Sequence, residues 1–112
     1  MGYWVYLARC GDSTIYTGAT TDLIRRIQEH NEKTNKGTRY TASHKPVALV
    51  QAWEVLTWSD ALRLEIAIKK CNRAKKERLI QNAQEIYFLV KLRKLNFEIK
   101  SIAHLPGNGD NC

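Results

Sequence analysis

The first thirty residues carry the pattern that most constrains the fold, because two short strands are followed directly by a helix. Residues 3–8 are rich in aromatic and β-branched side chains, which suit a pleated sheet. Gly11, Asp12 and Ser13 favour a tight turn, and strand character resumes over residues 14–18. This order predicts a small hairpin with a helix packed beside it.

The position of the turn decides which side chains of the hairpin meet. A loop from Cys10 to Asp12 places Tyr6 directly opposite Tyr16. Side chains at paired positions share one face of a sheet, so the two phenols are expected to stand side by side.

The helix after the hairpin begins at Asp22, whose carboxylate can accept a free backbone N–H. Its apolar stripe at helical spacing consists of Leu23, Ile24 and Ile27. At about 100° per residue, Arg26 and His30 lie together along one edge of this stripe, whereas Arg25 faces solvent. The pattern therefore brings two tyrosines, an arginine and a histidine towards one place.

The composition suits one small globular domain that binds a polyanion. The chain has 112 residues, the size of a single domain, and 44% of them are hydrophobic. Its net charge of +7 favours nucleic acid as the partner over a merely cationic surface. No apolar run approaches the roughly 18 residues of a membrane span, and no signal peptide is recognisable.

The cysteines Cys10, Cys71 and Cys112 are far apart and lack the spacing of metal ligands. We interpret them as free thiols in a reducing compartment, and we expect a cytoplasmic location.

Residues 33–46 are polar and basic and contain a glycine and a proline, which predicts a surface loop. Its candidate phosphate ligands are Lys33, Lys36, Arg39 and Lys45. A loop that is merely solvated explains these residues equally well.

A third strand is predicted from Val47 to Leu56. Its alternation puts Val47, Leu49, Trp53 and Val55 on one face and Ala48, Val50 and Ala52 on the other. Apolar residues on both faces predict a sheet that is covered on both sides.

A second helix is predicted to begin at a capping box formed by residues 57–60. Its apolar stripe consists of Ala61, Leu64, Ala67, Ile68 and Cys71. Glu65 lies at the edge of this stripe, where an unpaired carboxylate is costly. Its partner is either a basic side chain or a divalent metal with its waters.

Residues 69–78 contain six basic side chains and one acidic one. They form either a solvated helix face or a nucleic-acid-binding stripe, for which Lys69, Lys70 and Arg73 are the candidates. Leu79 and Ile80 predict a further short helix that packs back. Residues 85–103 favour a helix to about Leu95 and an extended piece after it, which can cover a sheet edge, form a dimer contact or add DNA-binding surface.

The ordered set of motifs resembles the GIY-YIG nuclease superfamily. Trp4-Val5-Tyr6 and Tyr16-Thr17-Gly18 stand in place of its two signature tripeptides, Arg26 follows Tyr16 by ten residues, and His30 comes next. Asn31 and residues 61–65 fit its small stand-alone bacterial members, the YhbQ-like group, and Slx1-type nuclease domains. The resemblance covers roughly residues 2–80.

This resemblance implies a divalent-metal-dependent endonuclease that acts on DNA, with a role in repair or recombination. It implies that Tyr6 is the general base or holds the attacking water, and that Tyr16 orients the scissile phosphate or shares the proton network. Arg26 would stabilise the transition state, and His30 would relay a proton or bind the phosphate. Glu65 would bind a single Mg²⁺ or Mn²⁺.

The chain departs from the family pattern at three points. Trp4 replaces the glycine of the first tripeptide, and Thr17 replaces the isoleucine of the second. Many relatives carry a catalytic asparagine after the glutamate, for which Asn72 is the candidate on the Glu65 face of the same helix. Gly18 is expected to let the backbone turn closely into the following helix.

The expected fold is a small α/β (α+β) domain with a three-stranded, mainly antiparallel sheet flanked by helices. Residues 2–82 are assigned to the GIY-YIG domain, 83–105 to an extension that packs on it, and 106–112 to a disordered tail. Two other functions stay open, a non-catalytic nucleic-acid-binding module and a subunit of a larger nuclease. A homodimer or a partner protein is also open.

Overall fold

The computed structural model describes residues 2–31 and 46–103, which form a four-stranded antiparallel sheet with helices on both faces. The strands are β1 (Tyr3–Cys10), β2 (Ile15–Thr20), β3 (Val47–Val55) and β4 (Ser101–Ile102), in the spatial order β2-β1-β3-β4. The helices are α1 (Leu23–Asn31), α2 (Trp58–Lys69), α3 (Arg73–Gln81) and α4 (Ile86–Leu92). The predicted fold class is confirmed, with a fourth strand because the chain after α4 returns to pair with β3.

Some predictions concern residues outside the described ranges. These are the basic loop with Lys33, Lys36, Arg39 and Lys45, the tail over residues 106–112, and Cys112. Cys10 and Cys71 are buried free thiols, as predicted.

The hairpin turn lies one residue later than predicted. Ser13 adopts a left-handed conformation with φ of 71°, and Cys10 and Thr14 close the turn across residues 11–13. Tyr6 therefore pairs with Gly18 rather than with Tyr16, and the predicted pairing of the two tyrosines is wrong. The partner of Tyr6 shifts by two positions, an even number, so both phenols still share one face.

A bulge in β3 changes which of its side chains share a face. The extra residue is Val50, which falls between the positions that pair with Leu7 and Ala8. The predicted alternation fails across this point, because the side chains on either side of the bulge now face opposite cores. Trp53 and Val55 pack on the α2 side, whereas Val47 and Leu49 pack on the α1 side.

Each face of the sheet has its own apolar core. The predicted stripe of α2, formed by Ala61, Leu64, Ala67, Ile68 and Cys71, packs against the central strand on one face. On the other face, Leu23 and Ile27 of α1 pack around Tyr6 and Ala52. Ile24 was predicted in this stripe but is 68% exposed, because α1 presents a narrower apolar edge to the sheet.

The basic run after α2 is divided between two helices. Thr57 caps α2 by accepting the Asp60 N–H at 3.0 Å, and this helix ends at Lys69. Asn72 caps α3 by accepting the Lys75 N–H at 2.9 Å. The prediction that Asn72 lies on the Glu65 face of the same helix is therefore wrong.

The chain after α3 covers the open edge of β3. Ile86 and Leu89 of α4 enter the α2-side core, and the indole of Trp53 donates a 2.9 Å hydrogen bond to the carbonyl of Ala83. The α4 helix ends at Leu92, earlier than the predicted Leu95, and β4 follows as the edge strand. Within the described residues, none of the helices has the length and apolar character needed to cross a membrane.

Candidate active site

Tyr6, Tyr16, Arg26 and His30 come together on the α1 face of the sheet. Tyr6 lies in the central strand and is 1% exposed, and His30 in the last turn of α1 is 0% exposed. Asp22 fixes the start of this helix by accepting the Arg25 N–H at 3.1 Å. The hairpin and the helix therefore deliver their polar side chains into one largely buried cluster.

The centre of this cluster is a hydrogen bond between the phenol of Tyr6 and the imidazole of His30. The phenol oxygen lies 2.8 Å from Nε2. When the imidazole proton is on Nδ1, the phenol donates and Nε2 accepts. This contact gives the Tyr6 proton a defined acceptor.

Arg26 contacts the same phenol from the preceding turn of α1. Its guanidinium hydrogen-bonds Tyr6 and forms an ion pair with Glu29 at 3.1 Å. The Arg26 side chain is 27% exposed, whereas that of Arg25 is 63% exposed. Helical spacing thus directs Arg26, and not its neighbour, to the sheet.

Tyr16 forms one wall of the cluster. Its ring centroid lies 5.3 Å from that of His30 in an edge-on arrangement and 6.2 Å from that of Tyr6. The edge-on geometry is one that aromatic pairs prefer. Tyr16 therefore confines the imidazole against the phenol of Tyr6.

Burial controls the protonation of the central pair. It lowers the pKa of His30 to about 4, with a further decrease from the charge of Arg26, so the imidazole is neutral at pH 7. Burial, followed by the nearby Tyr16, raises the pKa of Tyr6, whereas Arg26 opposes that rise. The resting state is a neutral phenol against a neutral imidazole.

Gly18 supports Tyr6 instead of making a turn. A Cβ at this position would lie 2.5 Å from both Cζ and the oxygen of Tyr6. Gly18 also lies within β2, so its predicted role in a turn towards the helix is wrong. Because glycine has only a hydrogen in place of a side chain, the phenol ring of Tyr6 can fill this space.

Asn31 joins the end of α1 to the beginning of β3. Its side chain accepts the Val47 N–H at 2.7 Å and donates to the Val47 carbonyl at 2.8 Å. A third bond of 3.2 Å runs to the carbonyl of Ile27 within the helix. Because Asn31 follows His30, this clamp holds the helix turn that carries the imidazole.

Glu65 lies on α2, whose apolar stripe packs on the other face of the sheet from the cluster. Its side chain is 17% exposed, it pairs with Lys69 at 3.6 Å, and its charge reaches Tyr6, whose pKa it helps to raise. Among the described residues, no three histidine, cysteine, aspartate or glutamate side chains lie close enough to hold a metal ion alone. One half-buried carboxylate with few other protein ligands fits Mg²⁺ or Mn²⁺, which take further oxygens from phosphate and water.

The basic candidates of the predicted stripe lie in different environments. Lys69 pairs with Glu65, and Arg73 donates to the Ser13 carbonyl at 2.9 Å and to Glu77 at 3.3 Å. Lys70 is the C-cap residue of α2 and lies near Arg63 and Arg93. Their role in nucleic-acid binding stays a prediction.

Two contacts of the cluster were not predicted from the sequence. Glu29 pairs with Arg26, and its three-residue spacing on one helix was the available signal. The clamp from Asn31 to Val47 had no such signal, because the two residues are 16 positions apart.

Comparison with known proteins matches this arrangement to one family. The model of the GIY-YIG catalytic domain matches residues 2–78. The UPF0213 protein DP2720 of Desulfotalea psychrophila is 41% identical over 90 residues, which cover 77% of this chain and 81% of that protein. The UPF0213 protein of Syntrophus aciditrophicus is 43% identical over 82 residues, which cover 73% of this chain and 93% of that protein.

A solved structure is also similar. The solution NMR structure of the UPF0213 protein BH0048 from Bacillus halodurans covers 88% of this chain and 100% of its own, with 36% sequence identity and a TM-score of 0.48.

The segment that the family model matches contains the whole Tyr6, Tyr16, Arg26 and His30 cluster together with Glu65. The chain therefore belongs to the GIY-YIG family, a family of nuclease-type endonucleases.

Proposed function

We propose that this chain is a divalent-metal-dependent endonuclease that hydrolyses phosphodiester bonds in DNA, with a preference for branched structures of the kind met in repair or recombination. The observation that carries the proposal is the phenol of Tyr6, which contacts both His30 and Arg26. Hydrolysis needs an oriented water, an acceptor for its proton and a cation for the phosphoryl oxygens. The cluster contains a group for each need.

In this proposal Tyr6 orients the attacking water and takes its proton after passing its own to Nε2 of His30. The 2.8 Å contact places donor and acceptor within transfer distance. Burial opposes the phenolate, and the hydrogen bond from Arg26 to the same oxygen favours it. The planar guanidinium of Arg26 can also form two parallel hydrogen bonds to the phosphate. To do so it exchanges its ion pair with Glu29 for the phosphate oxygens.

Glu65 would hold the divalent cation, which supplies charge compensation to the phosphoryl and leaving oxygens when bound. For this role Glu65 must release Lys69, whose 3.6 Å pair is largely exposed on the lysine side and therefore weak. Tyr16 would guide the phosphate towards Tyr6 and Arg26.

The test is cleavage of labelled single-stranded, duplex, flap and branched DNA with Mg²⁺, Mn²⁺ or EDTA. We expect metal-dependent cutting that falls at least about 100-fold in Arg26→Ala, a loss comparable to removing one transition-state donor. Arg25→Ala is the matched control, because it removes an equal charge one residue away, and it should retain activity within a few fold. Tyr6→Phe and Glu65→Gln should also abolish cutting.

Wild-type cleavage rates in both Arg26→Ala and Glu65→Gln would contradict the proposal. Salt-sensitive DNA binding without cutting, on every substrate and in both metals, would instead favour a non-catalytic nucleic-acid-binding module. Equal cutting of linear and branched DNA would remove the preference for branched structures and keep the nuclease.

A further inference from the structure

A groove of about 350 Å³ lies where the chain after α4 meets the outer flank of α2. It is lined by Arg63, Ile66, Ala67, Lys70, Arg93 and Leu95. Lys70 was a nucleic-acid-binding candidate from the sequence. Beside it lie Arg63, two turns earlier on the same helix, and Arg93, which the fold brings in from the chain after α4. We call these six residues the α2 groove.

The chemistry of the α2 groove fits a polyanion. Its rim carries Arg63, Lys70 and Arg93, and no carboxylate occurs among the six lining residues. The Arg63 guanidinium lies 5.4 Å from the ring centroid of Phe97, a cation–π contact that orders this side chain. Arg63 also pairs with Asp60 of the same helix at 3.8 Å, a long and partly exposed contact that a phosphate can replace. Three cations around one groove favour a ligand that carries several negative charges in a row.

The apolar part of the groove is small. Ile66 is 52% exposed, Ala67 is buried, and Leu95 is only partly exposed. A protein partner usually anchors on large aromatic or aliphatic side chains in a deeper pocket. The groove therefore suits a sugar-phosphate backbone better than an acidic peptide.

The α2 groove and Glu65 are on different flanks of one helix. At 3.6 residues per turn, Arg63 and Lys70 lie roughly 140–160° around the helix axis from Glu65. A phosphate bound to these two side chains is thus separated from the candidate active site by the body of α2. A phosphate in the groove is therefore a different one from the phosphate at the candidate active site.

The chain after α4 supplies half of the groove through a left-handed turn. Lys94 has φ of 54°, and the N–H of Leu95 bonds to the carbonyl of Val90 at 3.0 Å while that of Lys94 bonds to Lys91 at 3.1 Å. These two bonds form a Schellman motif, which ends the helix and reverses the chain direction. The turn puts Arg93 and Leu95 beside α2, and both lie beyond the residues that the family model matches.

We propose that the α2 groove binds the phosphate backbone of a second DNA segment, separate from the strand at the candidate active site. The proposal rests on the proposed function in one respect, namely that the ligand is DNA. A branched substrate offers such a segment as a second arm. The chain after α4 then has a binding role in addition to covering the sheet edge.

The test compares a triple variant, Arg63→Gln/Lys70→Gln/Arg93→Gln, with a control triple, Lys75→Gln/Lys91→Gln/Lys94→Gln. Both remove three exposed charges, but the control charges lie outside the α2 groove. Binding is measured in EDTA by fluorescence anisotropy over a salt series. The probes are a three-armed DNA junction and one of its arms as a linear duplex.

We expect the groove variant to bind the junction at least about tenfold more weakly than the control variant does. The slope of log K against log salt concentration should become less steep by about 2–3, since each lost phosphate contact reduces that slope by about 0.9. Binding to the single arm should change threefold or less. Thermal unfolding of both variants checks that the fold is retained.

Junction affinity of the groove variant within twofold of the control would overturn the proposal and leave the groove to an acidic protein segment. Equal losses of affinity for the junction and for the single arm would overturn the proposal that the groove binds a second segment. The groove would then belong to one continuous DNA-binding path. This readout is binding in EDTA and does not depend on cleavage. Failure of the separate cleavage assay, with groove-dependent junction binding retained, would therefore refute only the proposed function.

Discussion

The ring of Tyr6 fills the space that any side chain at position 18 would occupy. Gly18 is the strand partner of Tyr6, and an added Cβ would lie 2.5 Å from the phenol oxygen. That distance is shorter than any ordinary contact between these atoms. Gly18 of the second tripeptide is therefore required because Tyr6 of the first tripeptide packs on it across the sheet. The conformation of its own backbone does not require a glycine.

Gly18→Ala should displace the Tyr6 phenol from His30. Overpacking of a buried site costs about 1–3 kcal/mol, and we expect the free energy of unfolding in urea to fall by that amount. DNA cleavage should fall by at least about tenfold, because Tyr6 no longer holds its position.

A double-mutant cycle isolates the steric cause. In a Tyr6→Ala background the ring is absent, so Gly18→Ala should cost much less stability than it does in the wild-type protein. Equal costs in the two backgrounds would mean that position 18 is constrained by something other than the Tyr6 ring.

The buried neutral His30 should make stability fall in mild acid. Its pKa is about 4 in the folded protein and near 6.5 in an unfolded chain, so only the unfolded state gains a proton between those values. Stability is therefore full above about pH 6.5 and decreases as the pH falls towards 4, by about 1–3 kcal/mol in all. Urea unfolding from pH 7 to pH 4.5 measures the decrease.

His30→Gln is the control for this pH dependence of stability, because glutamine keeps hydrogen-bonding groups near Tyr6 and does not titrate. Its stability should vary less between pH 6.5 and pH 4.5 than that of the wild-type protein. Identical slopes would show that His30 is accessible to protons in the folded state.

Asn31→Ala should weaken cleavage through the position of His30. The variant loses two bonds to Val47, of 2.7 and 2.8 Å, and the free energy of unfolding should decrease by about 1–3 kcal/mol. Asn72→Ala is matched to it, since it removes an asparagine that caps α3. We expect a loss of activity of tenfold or more only for Asn31→Ala, measured at a temperature where both variants are folded. Equal activities would show that the clamp serves stability alone.

Thr17→Val should stabilise the protein. The hydroxyl of Thr17 is buried on the α2 side of β2, and it has no hydrogen-bond partner among the described residues. Valine has the same shape without the polar group, so we expect a gain of about 1 kcal/mol in the free energy of unfolding.

Thr20→Val, in the same strand, should have the opposite effect and lower the free energy of unfolding. The Thr20 hydroxyl accepts the Asp22 N–H at 3.1 Å, so its loss should cost about 1 kcal/mol. A thermal shift of the same sign in both variants would contradict the assignment of Thr17 as the unpaired hydroxyl.

Local periodicity predicted much of the cluster correctly. Helical spacing alone directs Arg26 and His30 to one edge of α1 and Arg25 to solvent, and the structure has this arrangement. The capping residues Asp22 and Thr57 were likewise evident, because each bonds to backbone within three positions. Such features depend on neighbours along the chain and on the geometry of one element.

Features set by contacts between distant segments were not predicted. The left-handed Ser13 sets the strand register, and the Val50 bulge reverses the faces of β3; neither leaves a periodic signal in the sequence. The role of Gly18 depends on a ring in another strand.

By itself, the sequence determined which elements form, in what order, and which side chains each element presents to one face, because periods of 2 and 3.6 residues are local properties of the backbone. It also indicated the family, through the spacing of its tyrosines, arginine and histidine. Only the tertiary structure decided which residues lie opposite each other. It joined Asn31 to Val47, placed the charge of Glu65 where it affects the pKa of Tyr6, and assembled the α2 groove from residues up to about 30 positions apart. Those contacts arise when the whole chain packs, and pairing across the sheet and between layers has no period to reveal it.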